Sequence, residues 1–421
     1  MALPKLKERI FYGWIVVAAS LVIVSTLVGI RFSFGVFFKA LAAEFDLSRA
    51  ATSSIYSVTM LLYVGFAIVT GWALDRYGPR RVVSLMGVFT GLGLLIASQA
   101  ASLWQIYLGY SLLMAMGTSA AMPVTIAVVS RWFDKRRGFA LSIATSGSGL
   151  GLLVVAPLAA YLISNLGWRV SFTILGLVIG AVVVSMAMFL RRNPGEINTR
   201  PDGVAFSGGR GELFTEQVSS YPIGLSLPQA LRTRSFWLWW MVMLLFAVYV
   251  NLIMTHVVPY ATDVGITVIE AATILSVASV FHVVFRLLLG RISDAINRKV
   301  PGVIGAMLGA VALLWLIGSH NLWMFYLFAI IFGLSWGGMG VSILTLPVEH
   351  FGQRNIGVIM GTLEAGFSVG SAIGATLGGF VFDVTGGYAP AFATSAAVML
   401  IMGLLMVLTR REIGQGNGQN G

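Results

Sequence analysis

Few side chains in this sequence could do chemistry, and most of them lie inside long apolar runs where an ionisable group is costly. Ser279, His282 and Arg286 recur at i, i+3 and i+7, so they share one face of a helix. Arg286 stands eight residues before Asp294, which puts it about 12 Å deeper than the following loop at a helical rise. A guanidinium stays charged, and its planar fork matches a carboxylate, so a polar stripe built around it points to recognition of an anion. Two other readings of Arg286 stand beside that one: a structural ion pair with Glu364, and snorkelling toward the near membrane surface. Arg31 lies eight residues before Lys39, which leaves it free either to snorkel outward or to line a cavity opposite Arg286. His282 and His256 are candidate proton carriers, because imidazole titrates near neutral pH, although a lone histidine on an apolar helix is commonly a hydrogen-bonded packing residue. Glu364, set among small residues in GTLEAGFSVGSAIGA, is a second candidate proton site or a partner for Arg286. Trp336, in the glycine-rich FGLSWGGMG (332–340), is a candidate cavity wall; Trp237, Trp239 and Trp240 read as interface anchors or packing. Four scattered histidines and no cysteine supply no nucleophile–base pair and no metal ligand set, so neither enzyme chemistry nor a cofactor is expected.

The elements that must position these residues are membrane helices. Of 421 residues, 57% are hydrophobic and only 10% charged, against roughly 25% charged in an ordinary soluble domain. Mean hydropathy is +0.89. Apolar spans fall near 12–38, 51–74, 82–101, 104–130, 139–164, 168–190, 236–261, 267–290, 301–318, 321–348, 356–382 and 388–409. Each can cross a hydrocarbon core as a helix. The first continues too cleanly into the chain to read as a cleaved signal peptide. The net charge of +11 is a topology signal and does not call for nucleic acid. With both termini in the cytoplasm, 22 of the 27 Lys and Arg fall inside, and only Lys39, Arg49 and Arg169 outside. That arrangement suits a plasma (inner) membrane.

The longest polar interruption separates spans six and seven. The expected organisation is an N-terminal six-helix half (1–190), a cytoplasmic linker (191–234), a C-terminal six-helix half (235–409) and a disordered cytoplasmic tail (410–421). Within the linker, Ser226 and Pro228 read as the start of a short surface helix. A repeat supports the division. GWALDRYGPRR (71–81) follows the second span of the first half, and GRISDAINRK (290–299) follows the second span of the other. Both place Gly, three residues, Asp and then basic residues: Gly71, Asp75, Arg76, Gly78, Arg80 and Arg81 in one, Gly290, Asp294 and Arg298 in the other. The first copy resembles the loop signature G-x-x-x-D-R-x-G-R-R of the major facilitator superfamily. That resemblance implies an all-α membrane protein of twelve transmembrane helices in two pseudo-symmetric six-helix halves. It also implies a gating role for the motif, against the blander reading of a positive-inside anchor.

FYGWIVVAAS…RFSFGVFFKAL (11–41), RWFDKRRG (131–138), GWR (167–169) and HVVPYATDVGI (256–266) narrow the resemblance to the monocarboxylate transporters and their bacterial relatives, including oxalate/formate exchangers. In animal members an acidic residue one turn before an arginine in span eight binds the carboxylate and takes part in proton coupling. Here the arginine matches Arg286, the acidic position holds His282, and the first-helix lysine of the family falls near Phe32, beside Arg31. Span eleven lacks the lysine expected of an oxalate exchanger. The expected function is proton-coupled symport of a small monocarboxylate such as lactate or pyruvate by alternating access. The alternatives are an organic-anion exchanger of the oxalate/formate type, a drug effluxer, or a non-transporting membrane sensor, which usually carries a longer soluble extension than the tail here.

Overall fold

The computed structural model describes residues 11–133, 136–197, 199, 224–292, 299–352 and 356–410. The tail beyond 410, most of the linker, and Asp294 and Arg298 of the second loop motif lie outside the described residues; of Asp75 only the backbone is described.

The chain folds into helices throughout. The first half comprises α1 (Tyr12–Phe32), α2 (Phe34–Glu44), α3 (Arg49–Tyr77), α4 (Pro79–Ser98), α5 (Leu103–Ile106), a π-helical run (Tyr107–Leu113), α6 (Met114–Thr118), α7 (Ala121–Trp132) and α8 (Arg137–Ala187). A short α9 (Leu227–Leu231) precedes the second half: α10 (Arg234–Asp263), α11 (Val268–Ile292), α12 (Lys299–Ile317), α13 (Leu322–Phe351), α14 (Ile356–Thr385) and α15 (Ala389–Leu408). Among the described residues, 11 helical runs are long and apolar enough to span a bilayer. One of them, α8, holds two crossings, because Gly167 inside it adopts φ 78, ψ 164. A β-carbon is strained in that conformation, so the glycine of GWR makes the turn. Twelve crossings result. Large apolar side chains such as Ile68, Val154, Leu177, Met307 and Leu404 project outward from them, as lipid contact requires.

α9 begins where the sequence signals it, with Ser226 and Gln229 closing a capping box and Pro228 in the first turn. The expected first span is interrupted: α1 ends at Phe32, Ser33 carries φ −79, ψ 2, and α2 resumes at Phe34.

The two halves repeat one another in packing and in turn chemistry. α1 packs along α8 as α10 packs along α14, and α4 meets α8 as α12 meets α15. Asp46 and Gly265 occupy equivalent turns, both with positive φ. Each turn closes with the same bond, Leu47 N–H to Ala42 O at 2.9 Å and Ile266 N–H to Ala261 O at 3.1 Å. Ser48 then caps α3 and Thr267 caps α11 through their hydroxyls. The halves join where α3 lies on α14, α8 on α11, and α2 on α10.

Candidate functional site

The candidate site lies where α11 and α13 of the second half meet α1, α3 and α8 of the first. α13 approaches α11 closely because Gly333 and Gly337 leave no side chain between the backbones; a β-carbon on Gly337 would stand 2.8 Å from the His282 carbonyl oxygen and 3.2 Å from the Arg286 nitrogen. That approach lays the His282 ring flat on Trp336, with centroids 4.0 Å apart and planes 11° apart. Phe32 of the first half meets Trp336 edge-on at 5.8 Å, so the aromatic stack bridges the two halves. His282 is only 3% exposed, and its Nδ1 has no hydrogen-bond partner. Ser279, one turn earlier, is buried and donates to its own helix at Leu275 O, 2.8 Å. Arg286 is half-buried and makes no hydrogen bond or ion pair with any described residue. The ion pair with Glu364 considered from sequence is absent.

Glu364 faces the other arginine. Arg31 is 8% exposed, with its guanidinium carbon 4.9 Å from the Phe32 ring centroid and 5.1 Å from that of Tyr63. It does not snorkel outward. The Glu364 carboxylate, half-buried on α14, lies within its electrostatic reach without closing a contact ion pair. Arg31 Nε is buried without a partner, and so is the Tyr110 hydroxyl. Tyr110 enters this group from the π-helical run and packs on Phe34, which stacks in turn on Tyr56. Tyr56 donates to Asn251 Oδ1 at 2.8 Å, and Asn251 Nδ2 donates to Ser371 Oγ at 2.8 Å, tying α3, α10 and α14 together across the halves. Tyr56, Tyr63, Tyr110 and Asn251 escape the sequence reading. The signal for Asn251 was present, a lone amide in the apolar run VYVNLIM.

His256 is not part of this group. Its Nε2–H donates to the Ala375 carbonyl oxygen at 2.7 Å, and Nδ1 accepts from the Tyr388 hydroxyl at 3.2 Å, since a carbonyl can only accept. Gly378 leaves the space that the ring fills. The packing reading therefore describes His256 best, within a polar seal that closes one end of the molecule. In that seal Arg49 reaches Asp263 at 2.8 Å and bonds Tyr388, Lys39 reaches Asp263 at 2.6 Å, and Arg49 covers the Phe382 ring at 3.6 Å. Asp383 of α14 accepts the backbone N–H groups of Arg49 and Ala50 at 2.9 and 2.8 Å, capping α3 from the opposite half.

At the other end, Gly71 lies inside α3, and Gly78 separates α3 from α4 with φ 80, ψ 166. Arg76 lies over the Trp72 and Tyr77 rings, and Arg80 donates to Met188 Sδ. Gly290 falls in the last turn of α11.

A family model, the Major Facilitator Superfamily, matches residues 18–364. The chain belongs to that superfamily. Among relatives of this major facilitator chain is bovine (Bos taurus) monocarboxylate transporter 13, 29% identical over 410 residues that cover 94% of this chain and 89% of the relative. Human (Homo sapiens) monocarboxylate transporter 11 is 28% identical over 404 residues, covering 92% and 81%. Rat (Rattus norvegicus) monocarboxylate transporter 4 is 26% identical over 412 residues, covering 94% and 83%. Solved structures share the fold. A bacterial homolog of the human lysosomal transporter Spinster, described as inward-facing and unoccupied, superimposes with TM-score 0.68 at 17% identity, covering 95% of this chain and 96% of that one. A POT family transporter in complex with 5-aminolevulinic acid gives 0.73 at 15% identity, covering 94% and 95%. The chain is thus an integral membrane transporter and not an enzyme.

Proposed function

We propose that this chain carries a small monocarboxylate, of lactate or pyruvate size, together with a proton, by alternating access. The observation that carries the reading is the Arg286 guanidinium, half-buried beside an aromatic stack at the junction of the halves, with no anion among the described residues to pair with. A charge held at that depth is stabilised by an anionic ligand, and the named relatives are monocarboxylate transporters. Charge balance supports one carboxylate. Arg286 is a single guanidinium without a countercharge among the described residues, which suits a singly charged substrate.

Glu364 is the preferred proton site in this reading. Its carboxylate shares the region with Arg31, so protonating it frees Arg31's field for the incoming anion. His282 fits the role less well, because among the described residues no anion is paired with it to stabilise an imidazolium and Arg286 lies one turn away. With the termini cytoplasmic, the Arg49–Asp263–Asp383 seal closes the outer face, and Asp75, Arg76, Arg80 and Arg81 at the inner face serve as the gating counterpart. Release of the seal would open the cavity outward.

Anion exchange without proton coupling is the second reading, favoured by the presence of His282 where the resembling animal transporters carry an acid. Uptake of radiolabelled lactate into proteoliposomes, with and without an imposed pH gradient, separates the two. Accumulation driven by the gradient alone supports symport. Exchange only against internal anion supports the second reading, and no lactate movement in either format overturns both.

A further inference from the structure

A cavity of about 900 Å³ opens at the end of the molecule opposite the Arg49 seal, between the α3–α4 turn and the residues that follow α8. Arg76, Arg80, Arg81, Arg191 and Arg192 line it, with Glu196 as the one carboxylate among the described lining residues. Glu196 accepts the backbone N–H of Arg192 at 3.2 Å. Among the described side chains, the charges of Arg76, Arg80 and Arg191 are weakly compensated. Arg80 donates from Nε and Nη2 to the thioether of Met188 at 3.3 and 3.2 Å, a poor acceptor for a guanidinium. Arg76 rests on aromatic rings, and Arg191 Nε is buried with no hydrogen-bond partner. The positive end of α4 adds to the field, because Gly78 offers no side chain to cap it.

One wall of the cavity is apolar and continues onto the lipid-facing surface. Leu85 and Tyr77 line it while being 54% and 48% exposed, and Trp72, 5.9 Å from the Tyr77 ring, is exposed as well. Tryptophan and tyrosine in such a position mark the headgroup level of a bilayer. A soluble phosphate would use the arginines and leave that wall bare. A phospholipid would use both, with the phosphate among the guanidiniums and an acyl chain along Leu85.

We propose that this cavity binds the headgroup of an anionic phospholipid. The site is separate from the Arg286 region and does not depend on the identity of the transported substrate. Native mass spectrometry of the full-length protein tests it, with phosphatidylglycerol and phosphatidylethanolamine supplied in equal amounts. Phosphatidylglycerol should be retained preferentially. The Arg80→Gln/Arg81→Gln variant should lower its retention about thirtyfold, as expected for removal of two basic groups at the membrane surface. Ser84→Glu, which places a carboxylate in the cavity while keeping every arginine, should reproduce the loss. Arg232→Gln/Arg234→Gln, which removes two exposed arginines outside the cavity lining, should retain the preference. Equal retention of the two lipids by the unaltered protein overturns the proposal, as does an equal loss in the Arg232/Arg234 variant. Displacement of the lipid by millimolar inorganic phosphate, with no dependence on the acyl chains, would assign the cavity to free phosphate and overturn the lipid assignment.

Discussion

Arg31 and Arg286 lie inside apolar spans, one in each half, and their surroundings differ. Arg31 has a carboxylate, Glu364, within electrostatic reach and phenol rings from α3 and the π-helical run around it. Arg286 has a stacked histidine and tryptophan one turn away and no acid paired with it among the described residues. A buried charge with a resident countercharge can persist in every state of a transport cycle, whereas one without a countercharge is stabilised by something that comes and goes. In the proposed function the contrast gives the two guanidiniums different work: Arg31 would respond to a proton on Glu364, and Arg286 would hold the substrate.

The largest expected effect comes from Arg286→Lys. An ammonium keeps the charge and loses the planar fork, and with it at least one charge-assisted hydrogen bond to the carboxylate. Lactate uptake into proteoliposomes should fall about 10- to 100-fold, the cost of one such bond, with expression and folding retained. Arg31→Lys should fall by less, about threefold, because a point charge still answers Glu364. Wild-type rates in the Arg286 variant beside a severe loss in the Arg31 variant would exchange the two roles.

Glu364→Gln probes the countercharge directly. In the wild type, raising the pH ionises Glu364, and lactate must then compete with it for Arg31. With glutamine in place no such competition exists, so lactate affinity should stop varying between mildly acidic and mildly alkaline pH. At the upper end of that range it should exceed wild-type affinity by roughly five- to tenfold, a modest coupling energy. Accumulation along a pH gradient should be lost while counterflow continues. A variant whose binding keeps the wild-type pH profile would remove Glu364 from the mechanism and with it the contrast between the arginines.

The twelve crossings were readable from sequence because each needs only a long apolar run, and the Gly167 turn and the Ser226 cap because local backbone chemistry decides them. The polar stripe through Ser279, His282 and Arg286 was readable for the same reason: one helix carries it. The surroundings of Arg31 were not, since Tyr63, Tyr110 and Glu364 come from three different elements whose facing sides depend on how the halves dock. The π-helical run adds to this, because a wider turn shifts Tyr110 off the register of a regular helix. The two histidines make the point most plainly. His256 and His282 look alike as single imidazoles in apolar spans, yet one is hydrogen-bonded at both ring nitrogens in the seal and the other stacks with Nδ1 unpartnered. What distinguishes them is Ala375, Gly378 and Tyr388 on one side and Trp336 and Gly337 on the other, all distant in sequence.

His282→Gln should have the smallest effect of the four positions, and it tests the contrast from the substrate side. The imidazole contributes a flat surface against Trp336 and sits one turn from Arg286, so in the proposed function it is a spacer that orients the guanidinium. Glutamine keeps a planar polar group of similar reach and cannot titrate near neutral pH. Lactate affinity should therefore weaken by only about two- to threefold, the scale of a lost aromatic stacking contact. Accumulation driven by a pH gradient should persist, because the proton is carried elsewhere. Measuring counterflow and gradient-driven uptake on the same preparation separates binding from coupling. If exchange survived in His282→Gln while accumulation vanished, the imidazole would be the proton carrier. Arg286 would then have a titrating partner of its own, and the two arginines would differ in the sign of that partner's charge and no longer in whether they have one.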